Sequence, residues 1–109
     1  MLALTINYKN NKIISFKIEG HAGFAPEGED IYCAGVSAVA QTALLGLIKQ
    51  LTVEPKYQME KGFLECELPP SLNEEELEKA QIILSTMEAG LLSMQEAYPG
   101  RIRVNIRRC

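Results

Sequence analysis

Residues 20–37 have the sequence GHAGFAPEGEDIYCAGVS. It follows a run of alternating apolar and polar residues, and it ends inside the most apolar segment of the chain. Gly, Pro and acidic residues dominate its middle, a composition typical of a loop. The sequence therefore predicts a loop from His21 to about Asp30, followed by a helix from near Ile31 to about Leu51. The predicted apolar stripe of this helix is Val36, Ala40, Ala43, Leu44, Leu47 and Leu51.

The residues before this segment predict a β-hairpin. Alternation over each strand places one set of apolar side chains on a single face, and Asn10-Asn11 suits the turn between the strands. The predicted inward residues are Leu2, Leu4, Ile6 and Tyr8 in the first strand, and Ile14, Phe16 and Ile18 in the second.

The second half of the chain predicts two strands, a helix and a last strand. The two strands lie around 53–60 and 63–68, and Ser71 or Asn73 caps the helix, with Glu74 or Glu76 completing a capping-box pattern. The stripe on this helix is Leu77, Ala80, Leu84, Met87, Leu91, Met94 and Tyr98, and the last strand carries Ile102, Val104 and Ile106. We expect the order ββαββαβ in an α/β two-layer sandwich, a mixed sheet with two helices packed on one side. Residues 1–109 form a single domain.

Composition restricts the class of protein. The chain has 109 residues, of which 47% are hydrophobic and 23% charged, and a net charge of −3. These values exclude wholesale disorder, and direct nucleic-acid binding is not expected because no strong overall charge favours it. Three cysteines without close pairing and no secretory leader predict a cytoplasmic protein. Polar residues interrupt the apolar first helix, which we interpret as a core helix rather than a membrane span.

The only histidine, His21, and Cys33 are the candidate catalytic residues. A cysteine attacks a carbonyl only as a thiolate. If the helix begins near Ile31, the backbone amides and dipole of its first turn would favour the thiolate of Cys33. An imidazolium at His21 would add a charge partner. Gly20 and Gly23 would let the chain leave the strand in conformations that other residues resist, and Gly28 suits a loop that doubles back. We expect Gly20, Gly23 and Gly28 to belong to the loop that contacts the substrate.

Neighbouring residues leave alternatives open. Glu27, Glu29 and Asp30 bring negative charge that opposes the thiolate, although water screens exposed carboxylates. Asp30 could orient His21, but capping the helix is the favoured role for an aspartate here. Ser37, one turn after Cys33, could form a hydrogen bond near the site or simply allow close packing.

The cysteines and His21 could instead serve in packing or in metal binding. A lone cysteine is more often packing than nucleophile, and Cys66 fits a core position. A zinc site of His21, Cys33 and Cys66 would lack a fourth ligand, so neither a metal nor another cofactor is expected. The last nine residues contain four arginines: Arg101, Arg103, Arg107 and Arg108. The favoured interpretation is that they keep an edge strand soluble, and the less favoured one is that they contact RNA or the ribosome.

The run Gly20-His21-Ala22-Gly23, the acidic loop and the segment from Asp30 to Ala38 closely resemble the Prp family of ribosomal-processing cysteine proteases. The resemblance implies a cysteine endopeptidase that removes the N-terminal extension of a large-subunit ribosomal protein (number twenty-seven) during ribosome maturation. It implies Cys33 as nucleophile, His21 as general base, a precursor peptide as partner and a homodimer. Two alternatives remain at this point: a non-catalytic ribosome-associated module, and another thiol hydrolase or acyltransferase acting on a small ester.

Overall fold

The computed structural model describes residues 1–20 and 31–109. Within them lie five strands and two helices in the predicted order ββαββαβ. Their bounds are β1 Leu2–Lys9, β2 Lys12–Glu19, α1 Ile31–Gln50, β3 Lys56–Glu60, β4 Phe63–Glu67, α2 Glu74–Ala97 and β5 Ile102–Arg108.

The five strands form one mixed sheet in the order β3-β4-β2-β1-β5. Strands β1 and β5 are parallel, and the other neighbouring pairs are antiparallel. Apolar residues of β1, β2, β4 and β5 and one face of each helix enter a single apolar core, whereas all five residues of β3 are exposed. The predicted sandwich is confirmed. The open face of the sheet carries Arg103 and Arg107 of β5 and Glu65 and Glu67 of β4.

The β1–β2 hairpin turns at Asn10 and Asn11, whose φ angles are 53° and 63°. Both values lie in the left-handed region that a two-residue hairpin turn of type I′ requires and that asparagine tolerates. The prediction of Ile14 as an inward residue was wrong, because Ile13 is buried and Ile14 is 37% exposed. The register shifts there, with Asn7 opposite Ser15 and the next residue opposite Ile13, so Ile14 is the extra residue of a β-bulge.

The apolar stripe predicted on α1 is buried as expected at Val36, Ala40, Ala43, Leu44, Leu47 and Leu51. On α2 the burial is greatest at Ala80, Leu84, Met87 and Leu91, whereas Tyr98, after the helix, is 45% exposed. By length and composition alone, α1 would also be apolar enough to cross a membrane. Its buried residues share one core with the sheet, and core helices of globular proteins pass the same test.

Asn73 caps α2, one of the two caps predicted. Its side chain accepts a hydrogen bond from the backbone N–H of Glu76 at 2.8 Å. The carboxylate of Glu76 does not complete the capping box but accepts hydrogen bonds from the backbone N–H and the hydroxyl of Thr52. These bonds lower the pKa of Glu76. The helix start is thereby tied to the segment before β3, which begins at Lys56 rather than near residue 53.

Candidate active site

Cys33 lies in the first turn of α1, because the helix begins at Ile31. The thiol is half-buried. Backbone N–H groups of a first helical turn have no partner within the helix, and the helix dipole places partial positive charge there. Cys33 therefore lies where the sequence placed it, in the first turn of a helix that begins at Ile31, and its role as nucleophile stays a prediction.

Aromatic packing holds the start of α1 in place. The ring of Tyr32 meets that of Tyr98 edge-on, with the centroids 5.0 Å apart, and the guanidinium of Arg101 lies 5.9 Å from the Tyr32 centroid. One turn later, a Cβ on Gly35 would approach the terminal carbon of Met94 to 3.1 Å. These contacts join the beginning of α1 to the end of α2 and fix the backbone that carries Cys33.

Cys33 borders a small cavity of about 40 Å³, which we call the Cys33 cavity. Its lining comes from two turns of α1, the beginning of β1, the end of β2, the beginning of β4 and the end of β3 with the turn that follows. The described residues lining it are Leu2, Ile18, Gly20, Cys33, Ser37, Gln41, Met59, Glu60, Gly62, Phe63 and Leu64. At this size it has room for a small group such as a carbonyl or a water, but not for a whole side chain of a substrate.

The end of β2 is held beside this cavity. The backbone N–H of Gly20 donates a hydrogen bond to the carbonyl of Gly62 at 3.1 Å. Gly20 has a φ of +84°, and a Cβ there would lie 3.2 Å from the carbonyl oxygen of Met1. Both the backbone angle and the close approach therefore favour glycine at this position.

The predicted site is only partly covered by the described residues. Ser37 lies one turn after Cys33 and lines the same cavity, and its supporting role stays a prediction. His21 and Asp30 lie outside the described residues, as do Gly23 and Gly28. The Cys33–His21 pair, the loop and the role of Asp30 thus stay predictions as well.

The other two cysteines differ sharply from Cys33. Cys66 is buried in β4, where loss of hydration raises the pKa of its thiol to about 12, with a smaller contribution from the charge of Glu67. Cys109 is exposed after β5. Among the described residues, no three His, Cys, Asp or Glu side chains are grouped as metal ligands would be.

Gln41 and Met59 are among the cavity residues that were not predicted from the sequence. Gln41 continues the line of Cys33 and Ser37 at helical spacing, a signal that could have found it. Met59 reaches the cavity because β3 pairs with β4. This pairing joins different strands, so a pattern within one helix could not predict it.

Comparison with known proteins identifies the family. The family model of the cysteine protease Prp matches residues 1–103. The ribosomal processing cysteine protease Prp of Bacillus subtilis is 36% identical over 107 residues, covering 95% of this chain and 96% of the relative. The protein of the same name from Staphylococcus aureus is 32% identical and covers 95% of each chain.

Solved structures share the fold. An essential ribosomal processing protease Prp from S. aureus, crystallised with a covalently linked product peptide, superposes with a TM-score of 0.85 at 28% identity, covering 98% of this chain and 100% of that one. A second crystal structure of that protease, with a substrate peptide, gives a TM-score of 0.81 at 26% identity, with the same coverage. With a family model spanning nearly the whole chain and relatives above 30% identity, this chain belongs to the Prp family of cysteine proteases and is a cysteine peptidase.

Proposed function

We propose that this peptidase removes the N-terminal extension of a large-subunit ribosomal protein, number twenty-seven, during ribosome maturation in the cytoplasm. The observation that carries the proposal is the position of Cys33, in the first turn of α1 and at the edge of a cavity. The names of the bacterial relatives, ribosomal processing cysteine proteases, support the substrate class. Membership in a peptidase family favours this function over a non-catalytic ribosome-associated module.

In the proposed mechanism, the sulfur of Cys33 attacks the scissile carbonyl and the peptide C–N bond then breaks. His21 protonates the leaving amine and later takes a proton from the water that hydrolyses the thioester. Backbone amides of the first turn of α1 would hold the developing oxyanion. Gly20 supports the assignment of His21, because it immediately precedes the histidine and lines the Cys33 cavity.

The test is cleavage of a synthetic peptide that spans the extension and the first mature residues. Cys33→Ala should lower the rate at least about 1000-fold, since the nucleophile is lost, and Cys109→Ala should leave it unchanged. Circular dichroism of each variant checks the fold, and mass spectrometry identifies the products. Cleavage by Cys33→Ala at the wild-type rate would overturn the proposal.

We also propose that the protein is a homodimer, as the family resemblance implies. A groove of about 550 Å³ runs between α1 and α2 on the molecular surface. Its lining is mostly apolar: Ala38, Val39, Thr42, Ala43, Gly46, Ile82, Ile83, Thr86 and Met87. Ile82, one of the lining residues, is 68% exposed, and Leu45 of α1 is 64% exposed. Contiguous exposed apolar surface of this kind is typical of protein interfaces.

A further inference from the structure

The exposed side chains that line the Cys33 cavity include a glutamine, a methionine and a glutamate: Gln41, Met59 and Glu60. Cys33, Ser37 and Gln41 follow one another at four-residue spacing, so they lie along one side of α1. Gln41 is exposed at the far end of this line. Its carboxamide offers both a donor and an acceptor to any chain lying beside the helix.

Met59 lines the same cavity from β3. In the sheet it pairs with Leu64, which pairs with Ile18, so the three side chains share the helix-facing side of the sheet. Leu64 is 5% exposed and Ile18 6%, but Met59 is 51% exposed. The described helices therefore cover β4 and β2 but leave Met59 at the edge strand open to solvent.

The cavity itself is too small for substrate side chains, so a peptide must lie over it and contact the rim. Gln41 follows Cys33 by eight positions, which corresponds to about 12 Å along a helix. An extended peptide advances about 3.3 Å per residue. If the peptide runs along α1, Gln41 lies about three or four substrate residues away from a bond held at Cys33.

We propose that Gln41 and Met59 form a subsite that selects the substrate three or four residues from the scissile bond. The carboxamide of Gln41 binds the peptide main chain, and the exposed thioether of Met59 packs on an apolar substrate side chain. The proposal rests on the proposed function, in which an extended peptide is cleaved at Cys33. Both are specificity residues, since neither touches the reacting atoms.

The test compares Gln41→Ala and Met59→Ala with two matched controls. Gln50→Ala removes an exposed glutamine at the far end of α1, and Gln58→Ala changes the neighbour of Met59 that faces the other side of β3. Each subsite variant should raise KM for the long peptide about five- to tenfold, the size expected for one hydrogen bond or one apolar contact. The value of kcat should stay within about twofold, because the lost contact is made equally before and during the chemical step.

Peptides shortened from each end identify the position of the subsite. The effect of both variants should vanish once the peptide ends within three residues of the scissile bond on one side. Wild-type KM in both variants, or an effect that persists on the shortest cleaved peptide, would overturn the subsite. If the wild-type protein does not cleave the ribosomal extension, the substrate proposal fails alone. A peptide library then tests the subsite, and an unchanged preference of Met59→Ala at that position would refute it.

Discussion

At the scale of single residues, the three cysteines show how environment separates residues of one type. Cys33 borders the cavity at a helix start, Cys66 is buried among apolar side chains, and Cys109 is exposed near the chain end. Only a thiolate reacts readily with an alkylating reagent. Their reactivities should therefore differ.

We predict that Cys66 resists alkylation in the folded protein. Burial raises the pKa of its thiol from 9.0 to about 12, so at neutral pH its thiolate fraction falls about 1000-fold. Iodoacetamide labelling followed by peptide mass spectrometry should show Cys109 modified well before Cys66 at pH 8. In urea, where the chain unfolds, the two rates should converge. Equal rates in the folded protein would contradict the burial of Cys66.

The raised pKa of the Cys66 thiol also predicts how the stability of the fold changes with pH. A thiol whose pKa is raised on folding binds its proton more tightly in the folded state. Its contribution to stability is complete below pH 9 and is lost as the pH rises through about 12. Raising the pH within this window should therefore both destabilise the fold and expose Cys66 to alkylation.

At the scale of elements, the bulge in β2 is stabilised by a side chain from α2. The backbone N–H of Ile13 donates to the Gln81 side-chain oxygen at 2.7 Å, and the Gln81 amide donates back to the Ile13 carbonyl at 2.8 Å. Gln81 thus takes the place that a neighbouring strand would take at the bulge. This pairing fixes the register that buries Ile13 and exposes Ile14.

Gln81→Leu should lower the free energy of unfolding by about 1–3 kcal/mol, because it leaves both backbone groups of Ile13 without their partner. Gln50→Leu is the control, since Gln50 is exposed at the end of α1. Urea denaturation followed by circular dichroism measures both variants. Equal stability of the two would show that the Gln81 bonds contribute nothing to the bulge.

The elements also show what sequence patterns can and cannot predict. Helical spacing correctly predicted the buried face of α1, and Asn73 was one of the two predicted caps of α2. Both predictions depend only on residues close together in the chain. The bulge at Ile14 was missed because Ile13 and Ile14 are both apolar, and the alternation set by Phe16 and Ile18 continues to Ile14 rather than to Ile13. The place of Met59 beside Cys33 depends on strand order, which requires contacts between residues distant in sequence.

At the scale of the whole molecule, one side of the helix layer packs on the sheet and the other carries the apolar groove. A helix that is apolar on more than one side is typically covered on more than one side. The sheet covers the inner side of α1, and a second copy of the chain is the proposed cover for the groove. Exposed side chains such as Ile82 would then be buried between the two copies.

We therefore predict that the protein sediments at twice the 12.1 kDa of one chain, and that Ile82→Glu shifts it to the monomer. A charge at Ile82 would have to be buried without a partner in the dimer, which costs several kcal/mol. The control is Ile106→Glu, because Ile106 is 39% exposed on the edge strand β5, away from the groove. Analytical ultracentrifugation over a range of concentrations measures each. A wild-type monomer, or a dimer that persists in Ile82→Glu, would contradict the proposal that a second copy of the chain covers this groove.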